Sequence, residues 1–141
     1  MLWVTRHEPH VDRCASAWLI KRFIDKEASF QFIDREDEIP KGAIGFTLPK
    51  AGIKPVEGTK TTFDALIEKY KVKDAVVSKI REIIRDCEFN EDEPERMRLK
   101  ETLGVSLILK GLTEVSATDE ETITRASVVM DALYASLQDI G

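Results

Sequence analysis

The sequence predicts an α+β fold, with a small N-terminal sheet containing a βαβ unit and about four α-helices after it. Two observations carry this reading. A strand-like, a helix-like and another strand-like segment follow one another between Leu2 and Asp34. From Thr61 onward, apolar residues recur at helical spacing and are punctuated by helix caps. The 141 residues are read as a single domain, 1–141, long enough to bury a sizeable core.

Leu2–Arg6, LWVTR, is a short β-favouring run and predicts a buried strand. Pro9 suits the first turn of a helix, where a missing N–H costs nothing. Val11, Cys14, Ala15, Trp18, Leu19 and Phe23 then fall on one helical face, which predicts an amphipathic helix to near Asp25. Ser29–Asp34 alternates polar and apolar residues and predicts a second strand, parallel to the first through a right-handed crossover. Arg35 to Lys60 is rich in proline and glycine and reads as loop, with Ala43–Leu48 as a third strand inside it. Thr61 and Asp64 form a capping-box-like start for a helix carrying Phe63, Leu66, Ile67 and Tyr70 on one face. Asp74 caps the next, striped by Val76, Val77, Ile80, Ile83, Ile84 and Cys87. The acidic stretch EFNEDEPE predicts a solvated loop, and Pro94 opens a helix running to Lys110 with Gly111 as its C-terminal cap. Thr118 and Glu121 mark a further capping box, before a last helix striped by Ile123, Ala126, Met130, Leu133 and Leu137.

Charge and composition exclude several classes. The net charge of −5 gives no sign of the basic surface that general nucleic-acid binding requires, so no direct nucleic-acid partner is expected. No apolar run is long enough to span a membrane, and the N-terminus lacks the pattern of a secretory signal. Cys14 and Cys87 are the only cysteines, which suggests free thiols in a reducing, cytoplasmic setting. Phosphate-binding loops, hydrolase elbows, HExxH and CxxC patterns are all missing. A homo-oligomer is compatible with this composition.

The chemistry concentrates in RHEPHVDR, Arg6 to Arg13, which holds both histidines of the chain. Its place in the βαβ unit is the carboxyl end of a strand and the N-terminus of a helix, where free N–H groups and the helix dipole favour an anion. Arg6 and Arg13 add positive charge suited to a tetrahedral oxyanion, and His7 and His10 add donors. Thr5 and Asp12 complete this candidate anion site. The bland alternative pairs Arg6 and Arg13 with Glu8, Asp12 or a distant carboxylate. His7 and His10 also have the spacing of two metal ligands on one turn, so a divalent metal is the one cofactor the pattern leaves open. Cys14, near the helix start, is either a thiol activated by that position or a small hydrophobe packed in the core. Trp3, Trp18 and Cys87 read as core.

The stretch WVTRHEPHVDRCASAWLIKRFID, Trp3 to Asp25, resembles the signature of the chromate-resistance protein B family, in its C-terminal domain. The match carries onto Trp3, Thr5, Arg6, Pro9, Asp12, Arg13, Trp18, Arg22 and Asp25, with the apolar residues between them. TFDAL (Thr62–Leu66) and DALYA (Asp131–Ala135) are similar to later family motifs, so the resemblance spans nearly the whole chain. Ser16-Ala17 stands where the family has Cys-Pro. Arg85 stands in place of a family histidine, and none precedes Gly58. Glu57, Asp86 and Glu88 are the acidic residues near those places and join His7 and His10 as candidate metal ligands. The resemblance implies a role in chromate resistance, in the sensing or enzymatic half rather than a DNA-reading half. Three functions follow as expectations: an oxyanion-binding domain, a small metal-dependent enzyme, or a regulatory interaction module whose Asp12, Arg13 and Asp131 form internal salt bridges.

Overall fold

Alternation along the first strand decides how the sheet sits. In the computed structural model, which describes residues 1–140, β1 (Leu2–Arg6) is the centre of a three-stranded parallel sheet. It pairs with β2 (Ser29–Ile33) from Leu2 opposite Ser29 to Arg6 opposite Ile33, and with β3 (Ile44–Gly45) through Trp3 and Val4. Trp3 faces the main core with the helices. Val4, one residue on, packs in a smaller cluster with Ile33, Leu48 and Ala51, beneath the loop after β2. The predicted third strand shrinks to two residues. Just beyond Gly45, Phe46 forms an isolated bridge with Ile53, and the chain turns away at Thr47, whose φ is 56°.

Helix α1 (Val11–Leu19) continues as a π-helical turn, Ile20–Ile24, to the end the apolar stripe predicts. The stripe predicts one buried face, but all nine residues of α1 are buried. The sheet and α2 (Thr62–Tyr70), α3 (Ala75–Phe89), α4 (Thr102–Val115) and α5 (Asp119–Ile140) enclose it. Asp12, Arg13 and Ser16 are therefore buried as well, and each must find partners inside the protein.

Three of the expected caps are present. Thr61 Oγ1 accepts the Asp64 N–H at 3.0 Å, and the Asp64 carboxylate accepts the Thr61 N–H at 2.9 Å. Arg81 and Arg85 on α3 pair with the same carboxylate, tying α3 to the start of α2. Asp74 accepts the N–H groups of Val76 and Val77, both at 2.9 Å. Thr118 Oγ1 accepts the Glu121 N–H at 3.1 Å.

The predicted helix from Pro94 to Lys110 is corrected. Pro94–Arg96 is a single 3₁₀ turn, and α4 begins only at Thr102. The Asp86 carboxylate accepts the N–H groups of Arg98 (2.9 Å) and Leu99 (3.0 Å) and the Thr102 hydroxyl, which holds the chain out of helix there. At the other end α4 runs through Gly111 to Val115, so Gly111 is interior rather than a cap. The acidic loop also starts later than its sequence suggests, because Glu88 and Phe89 form the last turn of α3. On α5, Ile123, Ala126, Met130 and Leu137 are buried and Leu133 partly so, as the stripe predicts. Asp131 accepts Trp18 Nε1–H at 2.9 Å and pairs with Arg22, fastening α5 to α1 and its π turn. The outer face of α4 carries exposed Leu103, Leu107, Ile108 and Val115. No helix among the described residues is long and apolar enough to cross a membrane.

Candidate functional site

Strand β1 delivers Arg6 to the carboxyl edge of the sheet, and α1 begins at Val11. The link between them is bent at Glu8, whose φ of 55° is left-handed. A non-glycine residue there costs about 1–2 kcal/mol. Two contacts hold the bend. The Glu8 N–H donates to Asp119 Oδ1 at 3.0 Å, and Arg13 Nη2 donates to the Glu8 carbonyl at 2.7 Å. Arg13 Nη1 donates to the carbonyls of Arg6 (2.6 Å) and His7 (3.0 Å). The Arg13 guanidinium is thus committed to the junction's own backbone rather than to a carboxylate. Burial, with the Arg6 cation nearby, lowers its pKa to about 10, which leaves it charged at neutral pH.

Asp12 is equally committed. Its two oxygens accept the N–H groups of Thr62 (2.7 Å) and Phe63 (3.0 Å), so a residue of α1 caps α2, and Ser16 donates a third bond at 3.3 Å. Burial pushes the Asp12 pKa up, and the two backbone bonds and the serine pull it back. Thr5 is buried and donates its hydroxyl to the Phe46 carbonyl at 2.7 Å. Thr5, Asp12 and Arg13 therefore act as the frame of the junction.

Arg6 differs from all of these. Its Nε is the one buried side-chain nitrogen or oxygen without a hydrogen-bond partner among the described residues. The guanidinium lines a cavity of about 340 Å³ shared with His10, Arg13, Glu57, Lys60, Glu88, Ser106 and Lys110. Lys60 lies 3.0 Å from Glu68, and Lys110 lies 3.2 Å from Glu91. Arg6 is thus the cation of this cavity with neither a carboxylate nor a carbonyl partner among the described residues. Two backbone distortions shape the wall beside it. Thr47, at φ 56°, is a β-branched residue in left-handed conformation, held by its N–H on the Ile53 carbonyl (2.8 Å) and its hydroxyl 2.8 Å from that of Thr62. Gly58, at φ 73°, closes the turn in which Val56 and Lys60 pair.

Glu88 lines the same cavity. Its Oε1 accepts the Asp12 N–H at 3.1 Å, so it occupies the N-terminus of α1. Burial, then the charges of Asp12 and Glu91, raises its pKa to about 7.

The two histidines separate. His10 stands at the N-cap position of α1 and lines the Arg6 cavity. His7 lies in a different cleft with Glu8, Thr113 and Asp119. Its Nδ1 is 2.8 Å from Asp119 Oδ2, and that hydrogen bond raises its pKa. Of the acidic metal candidates, Glu57 and Glu88 share the cavity with His10, while Asp86 is bound to the turn before α4. No three His, Cys, Asp or Glu residues gather as a metal site among the described residues. The Cys14 thiol is buried, donates to the Pro9 carbonyl at 3.4 Å and is pushed up to about 12, so it packs as a small hydrophobe.

Thr47, Lys60, Ser106 and Lys110 were not among the residues the sequence singled out. Thr47 and Lys60 come from the loop between β3 and α2, and Ser106 and Lys110 from α4. Only the positive φ of Thr47 marks one of them locally, a signal no sequence pattern reports.

Comparison with known proteins gives the family. The family model described as ChrB, C-terminal domain, matches residues 3–137. Protein ChrB of Cupriavidus metallidurans is 28% identical over 133 residues, covering 94% of this chain and 39% of that protein. The chain therefore spans about two fifths of the length of this curated relative. No solved structure matches. Since the family model covers all but the ends of the sequence, the chain belongs to the ChrB C-terminal domain family and is a chromate-resistance-type domain.

Proposed function

We propose that the chain binds a small tetrahedral oxyanion of the chromate or sulfate type in the Arg6 cavity, in a sensing or detoxifying role within chromate resistance. The observation that carries this reading is the buried, unpartnered Nε of Arg6. A buried donor left unpaired costs about 1–3 kcal/mol, and native proteins rarely leave one without cause. Arg13 sits beside it as a second cation whose hydrogen bonds go to carbonyls rather than to a carboxylate. An oxyanion would relieve the repulsion between the two and take charge-assisted bonds from Arg6. His10 and the lysines at the rim supply further donors. In this reading Asp12, Arg13 and Thr5 hold the junction, and Arg6 meets the ligand.

Titration calorimetry with chromate, sulfate and phosphate tests the proposal. At least one of them should bind, and Arg6→Ala should abolish the heat while the chain stays folded. Absence of heat from all three, or unchanged binding in Arg6→Ala, overturns it.

A further inference from the structure

Glu88 stands where an external anion would be drawn. It lies on the last turn of α3, at the cavity wall, with Oε1 on the Asp12 N–H at 3.1 Å. That N–H is one of the α1 donors without an intrahelical partner, at the positive end of the helix dipole. Glu88 forms no ion pair among the described residues, and the nearby Lys110 is 3.2 Å from Glu91 instead. The protein thus keeps a carboxyl group in the same cavity as the unpartnered Arg6.

An ionised Glu88 and a bound dianion would repel one another inside the cavity. A neutral carboxylic acid reverses that sign, because its O–H donates to an oxyanion oxygen. Resting on the oxyanion reading above, we infer that Glu88 is the specificity-determining proton donor of the Arg6 cavity: a fully deprotonated tetrahedral dianion binds with Glu88 protonated, so binding takes up a proton.

The surrounding charges are consistent with this. Asp12, His10 and Arg13 come from α1 and its cap, Arg6 from β1, Glu57 and Lys60 from the loop before α2, Lys110 from α4, and Glu91 from just past α3. Burial is the largest influence on Glu88. Asp12 and Glu91 also oppose its ionisation and Lys110 favours it, so its pKa is raised to about 7. Protonation therefore lies within reach at neutral pH.

Calorimetry on the full chain with sulfate decides the matter, since sulfate stays a dianion near neutral pH and any proton taken up from the buffer must go onto the protein. Sulfate affinity should fall about tenfold from about pH 6 to about pH 8, following the neutral fraction of Glu88. Titrations in two buffers of different protonation enthalpy should show net proton uptake. Glu88→Gln keeps an acceptor for the Asp12 N–H and adds a permanent donor; it should bind sulfate equally at both pH values without proton uptake. His10→Asn should retain the pH dependence.

Sulfate binding that is independent of pH, or a Glu88→Gln variant with the native pH dependence, overturns this inference and leaves the oxyanion reading standing. No heat from sulfate at either pH overturns this inference, and the oxyanion reading falls with it only if chromate and phosphate also give none. Should Glu88→Gln fail to fold, the Glu88 carboxyl is followed by carbon NMR in the native chain. Its midpoint should rise when sulfate is added, and a midpoint indifferent to sulfate overturns the inference.

Discussion

Replacing Arg6 with methionine separates a ligand-binding arginine from a structural one, because the two roles predict opposite changes in stability. The side chain carries a buried Nε without a partner and no ion pair among the described residues. Methionine keeps much of the aliphatic stem and removes the unpaired donor. An unsatisfied buried donor costs about 1–3 kcal/mol, so after some loss of packing the unliganded variant should gain about 1 kcal/mol. For a chain of this size that is a rise in Tm of about 3 °C. Removal of the Arg6 charge also relieves Arg13, whose pKa the neighbouring cation helps to lower. Oxyanion affinity should fall about 10- to 100-fold, the worth of a charge-assisted hydrogen bond. Differential scanning calorimetry with and without sulfate reads both quantities. A fall in Tm of several degrees with sulfate binding unchanged would refute the reasoning and make Arg6 a structural residue.

The framing residues should behave differently. Arg13→Met strips three carbonyls of their donor and removes the clamp on Glu8, and should cost about 2–4 kcal/mol in urea unfolding. Asp12→Ala uncaps α2 and should cost about 1–3 kcal/mol, with faster hydrogen exchange at Thr62 and Phe63. Glu88 has a folded pKa raised from 4.5 to about 7, so its favourable contribution is complete below the unfolded value and is lost as pH rises through about 7. Glu88→Gln should therefore stabilise the protein at about pH 8, by up to about 3 kcal/mol, and change little at about pH 4. Cys14 and Cys87 are buried with thiols pushed up to about 12; neither should react with a thiol reagent until denaturant is added.

Local chemistry made much of the fold legible. The capping residues Thr61, Asp74 and Thr118 each sit within three positions of the N–H groups they satisfy, so sequence spacing reports them directly. The βαβ order and the apolar stripes were visible for the same reason. The α4 start was not, because Asp86 holds it from 12 residues or more away along the chain. Gly111 was misleading for a related reason: packing carries the helix through a residue whose local preference is to end it.

The candidate site divides along the same line. RHEPHVDR fixed by itself that charge would gather at a strand-to-helix junction, and its match to the family pattern placed Arg6, Asp12 and Arg13 among the residues that matter. It could not say which of them remains available to a ligand. Only the tertiary structure decides that, because availability depends on partners far away in the chain. Asp12 is taken up by Thr62 and Phe63, Arg13 by the junction's own carbonyls, and His7 by Asp119, while Glu88 arrives from α3 to share the cavity with Arg6. Side-chain chemistry is set by residue type, but whether a buried polar group is spent or free is set by what the fold brings within about 3 Å of it.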